Sequence, residues 1–136
     1  MTQRVLRDLD FLVVEDHEFQ RTLLEQALRT LGADKITSVA NGKEAIRRVR
    51  AGDIRFDIVI TDLRMPEVDG IELMPLLRQA APGVAVVLAS VDRASLGVAT
   101  VIARGNRVPV LGAIEKPITP EKLRPLLEQY LAQPDR

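Results

Sequence analysis

The chain has 136 residues, no cysteine, and 19 basic and 19 acidic residues whose charges cancel. This length favours one domain, and the zero charge balance gives no support for nucleic-acid binding, which relies on neutralising many phosphates. Disulfides and thiolate metal sites are excluded, the apolar runs are too short for a membrane span, and the first ten residues lack the apolar core of a signal peptide, so we expect a cytoplasmic protein.

Five short apolar runs recur every 22 to 26 residues, about the length of one strand–helix unit. They predict strands over five ranges: Phe11–Val14, Ile36–Ala40, Ile58–Thr61, Val84–Ala89 and Val110–Ile114. The first, third and fourth runs are continuously apolar. This pattern is typical of strands that are buried on both faces of a parallel sheet.

Apolar residues at helical spacing predict a helix after each strand. The predicted helices are Phe19–Leu31, Gly42–Arg50, Ile71–Ala81, Leu96–Ala103 and a fifth that begins at Thr119 and Pro120. Pro75 lies inside the third helix and lacks the backbone N–H of a helix interior. Two outcomes therefore stay open, a kink at Pro75 or a helix that starts near it. Pro125 is expected to bend the fifth helix.

Strands alternating with helices predict an α/β fold, a doubly wound five-stranded parallel sheet in a flavodoxin-like three-layer sandwich. Right-handed crossovers leave few topologies, and the common strand order is 2-1-3-4-5. We expect one domain over residues 1–132 and a linker stub or tail over 133–136. In this fold a ligand crevice lies at the carboxyl ends of the first and third strands.

Three carboxylates, a hydroxyl and an ammonium group stand at the carboxyl ends of the predicted strands. In chain order these residues are Glu15, Asp16, Asp62, Ser90 and Lys116. Two carboxylates about 4 Å apart repel by roughly 4 kcal/mol at an effective dielectric of 20, so three of them require a cation. Oxygen ligands favour Mg²⁺, with Mn²⁺ as the alternative. The backbone carbonyl of Arg64 is a further candidate ligand.

A carboxylate beside Mg²⁺ can act as a nucleophile toward phosphorus, while the metal neutralises phosphoryl charge. Asp62 is the best candidate nucleophile because its predicted strand lies at the centre of the sheet. Glu15 and Asp16 would then bind the metal, directly or through water. Lys116 is expected to contact a phosphoryl oxygen as a point charge, and Ser90 to donate a hydrogen bond to another.

The acidic pair, the segment TDLRMPEVDG (61–70), Ser90 and EKP (115–117) together resemble the receiver domain of two-component response regulators. The resemblance covers roughly residues 8–132. It implies that Asp62 is phosphorylated by a sensor histidine kinase or phosphotransfer protein with Mg²⁺ required, and that the chain is a signalling domain rather than an enzyme. Many such receivers have a cis bond before the proline at position 117.

The resemblance also implies signalling through the face formed by the fourth helix, the fifth strand and the fifth helix. An output domain outside this chain is a further expectation, and so is a homodimer through that face. Segments 103–110 and LGAIEKPI (111–118) resemble receivers that precede EAL-type cyclic-di-GMP phosphodiesterase domains.

Two residues depart from the family pattern. Val91 follows Ser90 where a small residue is usual, and we expect it to crowd the site and slow phosphoryl transfer and hydrolysis. Ala113 stands where many relatives have a Tyr or Phe that swings inward on activation, so we expect no aromatic switch. Both favour an alternative function, a degenerate receiver that binds proteins without phosphorylation, whereas the complete acidic set opposes it.

Two other functions on this fold fit less well. Haloacid-dehalogenase-type phosphatases have a second acid two residues after the nucleophile, where this chain has Arg64. A flavin-binding module needs a loop rich in Gly, Ser or Thr after the first strand, and EDHEF (15–19) would repel a phosphate there. His17 is expected to be a solvated residue at a helix start.

Overall fold

The computed structural model describes residues 4–63, 70–105 and 107–133. Its strands are β1 (Asp10–Val14), β2 (Lys35–Val39), β3 (Ile58–Asp62), β4 (Ala85–Ser90) and β5 (Val110–Glu115). Its α-helices are α1 (Glu18–Thr30), α2 (Gly42–Ala51), α3 (Gly70–Ala80), α4 (Arg93–Gly105) and α5 (Pro120–Ala132). The predicted strands agree with these bounds to within one residue at each end.

The strands form one parallel sheet in the order β2-β1-β3-β4-β5. The doubly wound topology predicted from the sequence is therefore confirmed. The two strands at the centre of the predicted crevice, β1 and β3, are direct neighbours. Strand β3 is buried along its whole length, which explains the apolar run Ile58–Ile60 with which it begins.

Helices cover both faces of the sheet, so the molecule has three layers. Helices α1 and α5 pack on one face through a cluster that includes Phe11, Ile60, Leu28 and Leu127. Helices α2, α3 and α4 pack on the other face through two clusters that include Leu12, Leu73, Leu88 and Leu96. Neighbouring residues of one strand, such as Phe11 and Leu12, serve opposite faces because side chains alternate along a strand.

Polar side chains fix the beginnings of several helices. The Thr119 hydroxyl accepts a hydrogen bond from the Lys122 N–H at 3.3 Å, which confirms the predicted start of α5. Helix α4 begins at Arg93, three residues before the predicted start at Leu96. The reason is Asp92, whose carboxylate accepts from the Ala94 N–H at 3.0 Å and so satisfies a donor of the first turn.

Two prolines lie inside helices. Helix α3 begins at Gly70 and continues through Pro75, so the alternative prediction that a helix starts near Pro75 is wrong. Pro75 is exposed, and its ring therefore faces solvent rather than the core. Pro125 likewise lies within α5. The Lys116–Pro117 bond is cis, as the family resemblance implies.

Candidate functional site

The sheet register brings the predicted site residues to one edge. Asp62 pairs with Ala89 across β3 and β4, and Ser90 pairs with Glu115 across β4 and β5. Glu15 directly follows β1, which lies beside β3. Because carboxyl ends of parallel strands meet at the same edge, residues far apart in the chain become neighbours here.

Three carboxylates form the acidic cluster of Glu15, Asp16 and Asp62. One carboxylate oxygen of each lies within 4.8 Å of the others. Glu15 is only 3% exposed and Asp62 only 9%, whereas Asp16 is exposed. The cluster therefore has two nearly buried negative charges and one side open to solvent.

Lys116 reaches the cluster from the end of β5. Its Nζ donates one hydrogen bond to Glu15 Oε1 and another to Asp62 Oδ2, the latter at 2.9 Å. Burial raises the pKa of the Glu15 carboxyl above its usual value, and hydrogen bonds from Lys116 and the His17 N–H offset only part of that rise. Burial alone would lower the pKa of Lys116, but its two hydrogen bonds and both carboxylate charges outweigh burial and raise it.

Backbone contacts hold Glu15 in place. The His17 N–H donates to Glu15 Oε2 at 3.1 Å, and Arg21 Nη1 donates to the Glu15 carbonyl at 3.0 Å. His17 also caps α1, since its Nδ1 accepts from the Gln20 N–H at 3.4 Å. His17 is exposed, so its prediction as a solvated residue at a helix start is confirmed. Sequence reasoning misses Arg21 because a lone arginine early in a helix has no sequence signal of its own.

Ser90 links the site edge to helix α4. Its side chain is buried, and its Oγ accepts a hydrogen bond from the Asp92 N–H at 3.1 Å. The Asp92 carboxylate in turn accepts from the Ser95 hydroxyl at 2.7 Å in the first turn of α4. Sequence reasoning also misses Asp92, although an Asp just before a helical run is a recognised capping signal.

The outcomes for Arg64, Val91 and Ala113 differ. Arg64, the proposed carbonyl ligand, lies outside the described residues. Val91 is 71% exposed, so its aliphatic side chain stands at the surface directly after Ser90. Ala113 is exposed on β5, and its side chain is a single methyl group.

The acidic cluster fits a divalent cation. Its donors are carboxylate oxygens, the ligand type that suits Mg²⁺ and Mn²⁺. Few protein ligands and one solvent-exposed side agree with the preference of Mg²⁺ for keeping several waters. Lys116 supplies one positive charge against three negative ones, so the described residues leave an excess of negative charge that a cation would balance.

Comparison with known proteins agrees with this chemistry. Residues 11–128 match the family model described as the response regulator receiver domain. The chain is 30% identical over 131 residues to a two-component response regulator of rice, ORR41 of Oryza sativa subsp. japonica, covering 96% of this chain and 98% of that protein.

Solved structures of receiver domains have the same fold as this chain. A receiver domain of the sensor histidine kinase PA1611 from Pseudomonas aeruginosa PAO1 has a TM-score of 0.71 at 26% identity, covering 92% of this chain and 98% of that one. That structure has a magnesium ion coordinated in its active-site cleft. A CheY-like receiver domain from Methanospirillum hungatei JF-1 has a TM-score of 0.76 at 21% identity, with 91% and 94% coverage.

The chain belongs to the response regulator receiver domain family. Receiver domains are signalling domains of two-component systems, they bind Mg²⁺ in an acidic pocket, and they interact with histidine kinases or phosphotransfer proteins. The acidic cluster described above is consistent with phosphorylation. Among the described residues, no helix is long and apolar enough to cross a membrane.

Proposed function

We propose that this protein accepts a phosphoryl group on Asp62 from a histidine kinase or phosphotransfer protein in a Mg²⁺-dependent reaction. The observation that carries this proposal is the junction of three carboxylates within 4.8 Å, with Lys116 bonded to both Glu15 and Asp62. A buried ammonium group between two carboxylates can form a charge-assisted hydrogen bond to a phosphoryl group that is attached to one of them. The reaction breaks the phosphorus–nitrogen bond of the donor histidine and forms a phosphorus–oxygen bond to Asp62.

Each site residue has a distinct role in this proposal. Glu15, Asp16 and Asp62 would hold the metal, together with the backbone carbonyl of Arg64, and Mn²⁺ would serve in place of Mg²⁺. When bound, the metal would neutralise charge on the transferring phosphoryl group. Lys116 keeps its bond to Glu15 and turns its other donors to the phosphoryl oxygens.

Ser90 would report phosphorylation to helix α4. Its hydroxyl oxygen accepts from the Asp92 N–H, and Asp92 caps α4. Rotation of the Ser90 side chain toward a phosphoryl oxygen would move Oγ away from that N–H and alter the beginning of α4. This contact supports signalling through the face of α4, β5 and α5.

The outward surface of α4 also supports that output face. Val98 is 61% exposed and Val101 is 70% exposed, and Ile102 lies beside them at 38%. Exposed aliphatic residues grouped on one helix mark an interaction surface more often than scattered ones do. We therefore propose that this face forms a homodimer or contacts an output domain, and the sequence similarity to receivers of EAL-type phosphodiesterases suggests one class of output.

The same proposal includes a cytoplasmic location and a receiver domain over residues 1–132, with 133–136 as a linker or tail. No membrane or nucleic-acid partner is expected, because the formal net charge is zero and the apolar runs are short. Phosphate gained and lost at Asp62 would be the only reaction that the chain performs on itself.

Intact-mass measurement tests the phosphoacceptor assignment. The protein is incubated with acetyl phosphate and MgCl₂, and we expect a gain of one phosphate that is lost with EDTA and in Asp62→Asn. Asp53→Asn is the matched control, because Asp53 is exposed and pairs with Arg48 outside the site. If neither acetyl phosphate nor a histidine kinase adds phosphate, the proposal is wrong and the phosphorylation-independent binding module is favoured. If Asp62→Asn is still modified, the assignment of Asp62 is wrong and another residue accepts the phosphoryl group.

Sedimentation of the same samples tests the output face. Val101→Glu should abolish any phosphate-dependent dimer while leaving the mass gain unchanged, because Val101 is exposed and lies outside the acidic cluster. Gln26→Glu adds the same charge to the exposed surface of α1 and serves as the control. A phosphate-dependent dimer that survives Val101→Glu would contradict the assignment of this face.

A further inference from the structure

An apolar groove lies between helices α2 and α3, apart from both the acidic cluster and the α4 face. Its volume is about 230 Å³. Leu73 and Leu77 form a buried floor, and Ile46, Val49 and Leu76 form half-buried walls. The aliphatic side chains of the walls are partly exposed to water, and covering them with a partner would be energetically favourable.

The size and lining of the groove favour a protein side chain as its occupant. Pockets for small molecules usually measure about 300–1,000 Å³ and have convergent polar groups. This groove is smaller, and its polar lining consists of Arg50 and Gln79. One or two aliphatic side chains from a peptide would fill it, whereas a nucleic acid would gain nothing from the aliphatic floor.

The edge of the groove on α2 is positively charged. Arg50 is exposed and lines the groove, and Arg47, which is exposed but lies outside the lining, precedes it by three residues on neighbouring turns of α2. Residues 42–55 contain five cationic and two acidic side chains on a chain whose net charge is zero. One of those acids, Asp53, already pairs with Arg48 at 3.5 Å.

The charge on this edge is also unpaired within the described part of the chain. Across residues 4–63, 70–105 and 107–133, neither Arg47 nor Arg50 forms an ion pair. A solvated helix surface would show the same exposed arginines, and what distinguishes this one is that Arg50 also lines the aliphatic groove. An aliphatic groove beside unpaired positive charge favours a ligand that is apolar at its centre and acidic at its border.

We propose that the groove between α2 and α3 docks an acidic amphipathic segment of another protein. An aliphatic side chain of that segment would enter between Ile46 and Leu76, and its carboxylates would pair with Arg47 and Arg50. Two arginines three residues apart span about 4.5 Å along a helix axis. A partner helix with carboxylates three or four residues apart, next to a Leu or Ile, matches that spacing.

A designed peptide provides the probe. A fluorescein-labelled helical peptide of about 16 residues, with leucines four apart flanked by glutamates, is titrated with the full chain and followed by anisotropy. Its matched controls replace the glutamates by lysines or the leucines by serines. We expect binding of the glutamate–leucine peptide alone, with an affinity that falls as salt is raised. Amide chemical-shift changes should cluster on α2 and α3.

Charge-reversal variants locate the site. Arg47→Glu with Arg50→Glu should weaken binding at least about tenfold, and both positions are exposed, so the fold should be retained. Arg29→Glu, an exposed position on α1, is the control and should leave binding unchanged. Intact-mass phosphorylation with acetyl phosphate is measured in the same variants and should also be unchanged, which separates this proposal from the assignment of Asp62.

Five results would overturn the proposal, four of them from the binding experiments. Those four are equal binding of the lysine peptide, shift changes confined to other surfaces, full affinity in the double arginine variant, and tighter binding of a single-stranded oligonucleotide to the same edge. Self-association of the chain that is abolished by the double variant would also overturn it, because the occupant would then be a second copy.

Discussion

Lys116→Met is the substitution for which the structure gives the clearest expected magnitude. The side chain of Lys116 is only 7% exposed and donates to Glu15 and Asp62. Methionine keeps much of the chain length but removes the ammonium that bonds to both Glu15 and Asp62. Two nearly buried carboxylates would then face each other, and also Asp16, without the positive charge of Lys116.

Removing one partner of a buried ion pair costs about 3–5 kcal/mol. Two carboxylates at most 4.8 Å apart repel by at least about 3.5 kcal/mol at an effective dielectric of 20, which gives the same order. Burial raises the pKa of the Glu15 carboxyl and so favours its neutral form, which limits the loss. We therefore expect the free energy of unfolding to fall by about 3 kcal/mol at pH 7 without metal.

Urea unfolding in EDTA and in saturating MgCl₂ measures this effect. Mg²⁺ should recover more stability in Lys116→Met than in the parent protein, since the cation replaces the lost charge. Lys122→Met is the matched control: its Nζ bonds to the carbonyls of Glu115 and Pro117 at the surface, and its loss should cost about 1 kcal/mol. If the two methionine variants lose equal stability in EDTA, or if Mg²⁺ stabilises Lys116→Met no more than the parent, the reasoning is refuted.

Three further predictions use the same unfolding assay. Gly112→Ala would place a Cβ 2.6 Å from Leu126 Cδ2 and should destabilise the protein by about 1–3 kcal/mol; an unchanged midpoint would contradict this contact. Gly97→Ala should instead stabilise it by about 0.5–1 kcal/mol, because nothing lies within 4 Å of the new Cβ, and a loss of stability would show an unseen clash. The pKa of Glu15 is raised in the folded protein, so Glu15 contributes to the free energy of unfolding at pH values below its usual pKa of 4.5. That contribution is lost as the pH rises through the higher pKa of the folded state. In EDTA, Glu15→Gln should remove this decline with pH, and an unchanged slope would assign the decline to another group.

The positions of β1, β3 and β4 are predictable because burial on both faces leaves a largely unbroken apolar run. Strand β3, for example, is predicted to within one residue. The parallel order then determines which strand ends meet, so residue order alone places Glu15 and Asp62 at the same edge of the sheet. The beginnings of helices are harder to predict, because α4 starts from the capping carboxylate of Asp92 rather than from its first apolar residue.

The bonds within the site cannot be inferred from residue order. Sequence spacing places Lys116 at the site edge, but its choice of Glu15 as a second partner depends on side-chain reach and on the bend of the chain after β1. The link from Ser90 to Asp92 depends on one backbone N–H. Such contacts depend on atomic positions to within about an ångström, whereas a sequence pattern predicts only the positions of whole helices and strands.

Tyr130 has a practical consequence for spectroscopy. It is the only tyrosine of a chain without tryptophan, and it is 6% exposed, with the guanidinium of Arg4 5.1 Å from its ring centroid. It lies ten residues beyond the start of α5, about 15 Å along the helix axis from the end near Lys116. The intrinsic fluorescence of Tyr130 should therefore respond to the packing of Arg4 and should change little when Mg²⁺ binds to the acidic cluster. An optical signal for the acidic cluster would require an introduced fluorophore, and the exposed Ala113 offers a position for a tryptophan.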